Sequence, residues 1–425
     1  MSRTARIRGM PLARRSFLKN MTATAAVAQI GGFSTLRLDR VRRAMARHVE
    51  QGSVPGVVWL VSRGGEVHAD ALGTMAYGGR EPLRRDAIFR IASASKPVTA
   101  AAAMILVEEG RLRLDDPVDE FLPELSHSRV LKKPDSPVDD TVPANRPISL
   151  RDLLTFRSGH GFILAMPGTY AIQKAQEEAG VAVSADLPAF VPDEWMKRLG
   201  GLPLIHQPGE RWLYHTGSDI LGVLIARASG KSFGEFLRER LLAPLGMKDT
   251  GFQVPATDLD RLPVCYMTNP ETGQRIVFDA AGNESRYSRP PVFEAGGGGL
   301  VSTVDDYHAF CRMMLDKGKS GGERILARAS VELMTSNQVT PEQQAGSFLP
   351  ESRGWGFGLS VVTKRTDLSE VPGRFGWDGG YGTSAYTDPN EGLIGVQFTQ
   401  QLWTSPNPPS VQRDFWTAVY QALAD

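Results

Sequence analysis

The stretch Phe89-Arg90-Ile91-Ala92-Ser93-Ala94-Ser95-Lys96-Pro97-Val98-Thr99-Ala100-Ala101-Ala102 decides how this chain is read. Its second half begins a run of small and apolar residues that continues through Met104-Ile105-Leu106-Val107 to Gly110, a helix pattern with a glycine stop. Ser93 and Lys96, three positions apart at the start of that helix, stand on one face a turn from each other. An amine beside a hydroxyl can turn a weak nucleophile into a strong one without a histidine. The pair therefore predicts a serine acyl-transfer enzyme. Spacing alone is thin support, because Ser16-Phe17-Leu18-Lys19 has it too, in a segment that reads as a leader. Without further elements, Ser93 reads equally as a helix-capping serine and Lys96 as a solvated lysine.

Working outward, Leu38, Val41, Met45 and Val49 recur at helical spacing within Leu36–Glu50. After Pro55-Gly56, the β-rich runs Val57–Ser62 and Glu66–Leu72 flank Arg63-Gly64-Gly65 and read as a hairpin. Residues 111–290 read as helices, at 150–154, 219–228 and 233–242, with long loops over 123–147 and 251–297. Strand character returns at Trp355–Val362, Gly382–Thr387 and Gly392–Thr399, and a last helix is predicted over Ser410–Leu423. This order predicts an α/β (α+β) fold. Residues 36–110 and 291–425 form one antiparallel sheet flanked by terminal helices, and 111–290 form a mostly helical domain.

Two further elements carry chemistry. Tyr214, in Trp212-Leu213-Tyr214-His215-Thr216-Gly217, stands on a loop before a helix. It could move a proton between nucleophile and leaving group if a cation such as Lys96 lowered its pKa. A tyrosine packed under the loop is the plainer alternative. Ser218-Asp219 reads as the cap of the following helix. In Gly376-Trp377-Asp378-Gly379-Gly380-Tyr381, at the head of a strand, glycines let a backbone N–H approach a substrate carbonyl, as an oxyanion hole requires; otherwise this is a glycine-rich turn. Gly230-Lys231-Ser232-Phe233-Gly234 has the spacing of a nucleophile elbow, but helix pattern precedes it where an elbow needs a strand. His160, His206, His215 and His308 leave a Ser-His-Asp triad open, and His215 is a candidate pocket residue.

Taken together, the Ser93, Tyr214 and Trp377 segments resemble the serine β-lactamase and penicillin-binding-protein superfamily, and within it the class C-like branch of family VIII carboxylesterases. The resemblance spans about residues 36–425. It includes Ser149-Leu150-Arg151-Asp152-Leu153-Leu154-Thr155, Gln207-Pro208-Gly209-Glu210 and Gly297-Gly298-Gly299-Leu300-Val301-Ser302-Thr303. It implies a β-lactamase/transpeptidase-like fold, with Ser93 as acylated nucleophile, Lys96 as its general base and Tyr214 as partner base or proton relay. It implies an oxyanion hole made by the backbone N–H groups of Ser93 and Gly380, and substrate contacts from Trp377, Asp378, Gly379, His215 and Thr216. Two departures matter. Thr216 stands where the superfamily has an asparagine, and Trp377 stands where it has a lysine that would grip a substrate carboxylate. Both favour neutral esters over β-lactams or peptides. A β-lactamase, a D-amino-acid peptidase, a non-enzymatic penicillin sensor and a transesterase with an alcohol acceptor are the alternatives.

Bulk properties narrow the partners. A formal net charge of +1 gives no general attraction to nucleic acid or an anionic membrane, and no run approaches the roughly 20 apolar residues of a membrane helix. The expected partner is a small-molecule ester, with no cofactor and no metal. Cys265 and Cys311, the two cysteines, could form a disulfide or remain two inert buried thiols. Residues 1–35 read as a basic leader: Arg14-Arg15 precede a weakly apolar run and Ala26-Val27-Ala28, the pattern of a twin-arginine export signal. Periplasmic or secreted location is the expectation, with a cytoplasmic chain carrying a basic leader as the other reading.

Overall fold

In the computed structural model, which describes residues 29–30 and 32–424, the N-terminal helix pattern becomes α1 (Thr35–Glu50). The Arg14-Arg15 pair and the Ala26-Val27-Ala28 site of the expected leader lie outside the described residues. Strands β1 (Gly56–Arg63) and β2 (Glu66–Gly73) pair antiparallel through Gly64 and Gly65, whose φ values of 59° and 88° suit the tight mirror-image turn of a hairpin. The Ser93 segment opens α2 (Ser95–Glu108), and α3 (Leu150–Leu154) is closed by a capping box between Ser149 and Asp152. Helix α4 (Thr216–Ser229) begins just after Tyr214-His215, and α5 (Val304–Leu315) precedes the C-terminal strands. These are β3 (Arg353–Trp355), β4 (Ser360–Val362), β5 (Phe375–Gly379), β6 (Thr383–Asp388) and β7 (Leu393–Phe398), followed by α6 (Ser410–Ala422).

The seven strands form one antiparallel sheet in the order β3-β4-β5-β6-β7-β1-β2. Strand β1 joins the C-terminal strands through β7, with Val58 opposite Phe398 and Leu60 opposite Val396. Both faces of β1 are apolar, as a central strand covered on both sides requires. Val57, Trp59 and Val61 pack with Val41 and Met45 of α1 and Phe415 and Val419 of α6. Val58 and Leu60, on the other face, belong to the core that includes Val98 and Ala102 of α2 and Phe310 and Met314 of α5. Helix α2 is buried over almost its whole length, which explains its all-round small and apolar composition.

The structure corrects several elements. Trp355–Val362 is two strands, because Gly356-Phe357-Gly358 turns the chain; Gly358 has φ 69°, and a Cβ there would lie 2.7 Å from the Lys96 carbonyl oxygen. The expected loops contain short strand pairs, Arg129–Leu131 with Thr141–Pro143 and Cys265–Thr268 with Arg275–Asp279. Ser232 caps the helix Phe233–Leu237 by accepting from Glu235 N–H, and it follows a helix rather than a strand, so it is no elbow nucleophile. Cys265 and Cys311 are free, buried thiols.

Two contacts tie distant segments to the nucleophile turn. Arg90, buried, bonds Asp279 at 2.5 Å and the carbonyls of Pro263 and Ala280 at 2.7 and 2.8 Å. Strand β5 lies so close that a Cβ on Gly379 would fall 2.2 Å from the Ile91 carbonyl oxygen and 2.1 Å from Thr383 Oγ1. Gly379→Ala is therefore expected to destabilise the protein by roughly 1–3 kcal/mol, the cost of forcing extra volume into a packed interior. Urea unfolding checks this; an unchanged midpoint would count against the close approach.

Candidate active site

Ser93 sits in a 3₁₀ turn, Ala92–Ala94, that feeds directly into α2. Ala92 holds φ at 45°, in the left-handed region, at a cost of about 1–2 kcal/mol for a residue with a Cβ. The surrounding bonds keep it there: Ile91 N–H donates to Leu300 O, Ala94 N–H to Ile91 O, and Thr383 Oγ1 to Ile91 O. Ser93 is partly exposed and lines a cavity of about 1030 Å³, while Lys96 beneath it is fully buried.

Lys96 Nζ lies 2.8 Å from Ser93 Oγ, 2.5 Å from the Gly297 carbonyl oxygen and 3.3 Å from His215 Nδ1. His215 Nε2 in turn faces Asp219 Oδ2 at 3.4 Å, and Asp219 Oδ1 accepts from Gly297 N–H at 2.8 Å. These partners restrict where the protons sit. A carbonyl can only accept, and His215 accepts at Nδ1 when its proton is on Nε2, toward Asp219. An ammonium would donate its third N–H to Ser93 Oγ, whereas a neutral amine gives its two N–H bonds to those two acceptors and can turn its lone pair to the Ser93 hydroxyl. Burial favours that form by lowering the Lys96 pKa, against the opposing pull of the Asp219 carboxylate. Burial raises Asp219, with Gly297 N–H and Lys96 opposing, and burial with Lys96 beside it keeps His215 well below the ordinary histidine value.

Tyr214 differs from expectation in one respect. Lys96 Nζ lies over the face of its ring, 4.6 Å from the centroid, rather than at its hydroxyl. Burial therefore dominates and pushes the phenol well above its ordinary value, although hydrogen bonds with Ser93 and Trp377 pull the other way. Tyr214 keeps its proton. Trp377 Nε1–H donates to the Tyr214 oxygen at 2.8 Å, leaving the phenolic O–H to serve the Ser93 side. The indole thus meets Tyr214 as a neutral donor within a cluster that includes Phe156, Trp212, Trp355 and Trp377, with Tyr214 and Phe348 packed against it.

The other predicted residues divide. Gly380, exposed and with open space where a Cβ would project, lines the cavity beside Ser93, as do His215 and Thr216. Asp378 borders the cavity, but its carboxylate accepts from Ser384 Oγ at 2.6 Å and Tyr386 OH at 2.8 Å, so it braces β5 against β6. Gly379 is absent from the lining and serves the close packing described above. His160, His206 and His308 do not line the cavity either. Asp219, expected as a helix cap, is a buried acid inside the first turn of α4. Its position four residues after His215, one turn along the same helix face, was the available signal.

A family model described as Beta-lactamase matches residues 41–414. The chain belongs to the beta-lactamase family. This beta-lactamase-family chain is 38% identical over 371 residues to Protein Rv1367c of Mycobacterium tuberculosis, a match covering 84% of this chain and 89% of that one. It is 30% identical over 371 residues to Esterase EstB of Burkholderia gladioli, covering 83% and 88% of the two chains. Among solved structures it resembles EstCE1, described as a hydrolase with promiscuous acyltransferase activity. The TM-score is 0.75 at 24% identity, over 90% of this chain and 98% of that one. The chain is thus a serine hydrolase of β-lactamase/transpeptidase-like fold.

Proposed function

We propose that this serine hydrolase cleaves neutral carboxylic esters through an acyl-Ser93 intermediate. Ser93 Oγ attacks the ester carbonyl while its proton passes to Lys96 Nζ. The negative oxygen is held by the backbone N–H groups of Ser93 and Gly380. As the tetrahedral centre collapses, the bond to the alcohol oxygen breaks and Tyr214 gives that oxygen its proton; the proton held on Lys96 then reaches the Tyr214 oxygen through the water that enters, since Lys96 Nζ faces the Tyr214 ring and not its hydroxyl. Water, activated by the same pair, then attacks the acyl carbonyl and frees the acid and Ser93.

The observation that carries this reading is the Trp377–Tyr214 hydrogen bond. An indole N–H in the lysine's place offers a dipole but no charge, so a substrate carboxylate, such as a β-lactam bears, would enter uncompensated. The similarity to Esterase EstB agrees with esters as the substrate class. A panel of p-nitrophenyl esters, matched anilides and a chromogenic cephalosporin tests it. Ester kcat/KM is expected to exceed the cephalosporin value at least a hundredfold; cephalosporin turnover equal to that of the esters would overturn the assignment.

A further inference from the structure

If Tyr214 protonates the leaving oxygen, the alcohol part of the substrate must lie on the Tyr214 side of the cavity. That side is aromatic. Phe162 N–H donates to the Tyr214 carbonyl at 2.9 Å, holding the two segments together, and the Phe162 ring stands edge-on to the Tyr214 ring, 6.1 Å between centroids and 83° between planes. Phe348 approaches the same ring from another chain segment, at 5.1 Å and 84°, and is steadied by Trp212 at 5.4 Å. The rings of Phe162 and Phe348 lie nearly parallel, 6.1 Å apart with 15° between planes. Both are half-buried and line the cavity.

The apolar surface continues outward from this pair. Leu164 lines the same cavity and is 52% exposed, and Met166, two residues on, is 78% exposed. Apolar surface gathered along one wall of a cleft marks a binding face. Charge points the same way. Among the described lining residues Arg353 is the one lysine or arginine, and it is held by Glu370, so no free guanidinium or ammonium awaits an anionic group, and lining carboxylates such as Glu177 and Asp367 would repel one.

We infer that Phe162 and Phe348 form the alcohol subsite and select esters of uncharged, ring-bearing alcohols over esters of short alkyl alcohols. Flat rings offset against Phe348, or edge-on to Phe162, gain the geometry aromatic pairs prefer. A methyl group reaches neither. The inference rests on the acyl-serine reading above, with Tyr214 as proton donor.

Methyl acetate, benzyl acetate and methyl benzoate separate the two sides of the site, because methanol and benzyl alcohol are alcohols of similar acidity. For the unmodified protein, kcat/KM for benzyl acetate is expected to exceed that for methyl acetate at least tenfold. In Phe348→Leu and Phe162→Leu that ratio is expected to fall at least fivefold, mainly through KM, with the methyl benzoate to methyl acetate ratio unmoved. A wild-type ratio near one, or a ratio unmoved in both variants, overturns the inference. A change confined to the benzoate ratio also overturns it, by assigning the rings to the acyl side. Product inhibition asks the same question without substitutions: benzyl alcohol should inhibit methyl acetate hydrolysis more strongly than benzoate, and the reverse order overturns the assignment. Absence of turnover on every ester would instead fail the acyl-serine reading, and the alcohol subsite with it.

Discussion

Ser93→Ala is expected to lower ester kcat by about 10,000-fold or more, the scale on which removal of a serine nucleophile acts when its partners work as a unit. It is also expected to abolish covalent labelling by a fluorophosphonate. The substitution is mild for the fold, since Ser93 lies between Ala92 and Ala94 in a turn held by backbone bonds from Ile91 and Ala94 and by the Thr383 hydroxyl. Loss of activity with an unchanged thermal midpoint would isolate the chemistry. Labelling that survives in Ser93→Ala would place the nucleophile elsewhere. Ser232 gives the control: its hydroxyl accepts from Glu235 N–H as a helix cap, so Ser232→Ala should leave labelling intact.

Lys96→Met is expected to cost about 100- to 10,000-fold in kcat, the range general-base catalysis supplies. Methionine is close to lysine in length, and it removes an amine whose charged form the site disfavours, so the variant should fold. The pH profile of the unmodified protein gives an independent check. With Lys96 as the base, the active form carries it neutral, so turnover is expected to rise with pH as that group loses its proton. Burial lowers this pKa, and the rise is therefore expected to be complete well below about pH 10.4, where an ordinary lysine titrates. Activity that climbs only in the ordinary lysine range would show that Lys96 is not the base. In Lys96→Met the residual activity should lose that ascending limb.

The parts of this site that could be read from the sequence are local ones. Ser93 and Lys96 share one helical turn, and Tyr214 and Trp377 each sit within short segments whose glycines and helix starts are visible as patterns. Strand β5 is harder, because Phe375-Gly376-Trp377-Asp378-Gly379 has two glycines and only two apolar side chains. It becomes a strand through pairing with β4 and β6. Asp219 was misread for a related reason. An acid near a helix start usually faces water, and what buries this one is the Gly297 segment, 78 residues away. Phe162 and Phe348 carry no signal of their own, since their role comes from standing beside Tyr214 in the folded chain. In Trp377 the neutral, aromatic character is legible, while its hydrogen bond to Tyr214 needs the tertiary structure.

The pairing of β1 with β7 also bears on how an active molecule comes into being. Val58 meets Phe398, so 340 positions of chain separate two neighbours in the middle of the sheet. Contacts this remote form late and slowly, because the entropy of closing the intervening chain is spent before any pairing rewards it. During synthesis Ser93 and Lys96 emerge early, yet Trp377 and Gly380 arrive only as the last strands do. Until then β1 exposes an apolar edge with no neighbour on the β7 side, a state open to aggregation. Catalytic competence should therefore appear abruptly, with closure of the sheet, and refolding yield should depend more on protein concentration than on the time allowed.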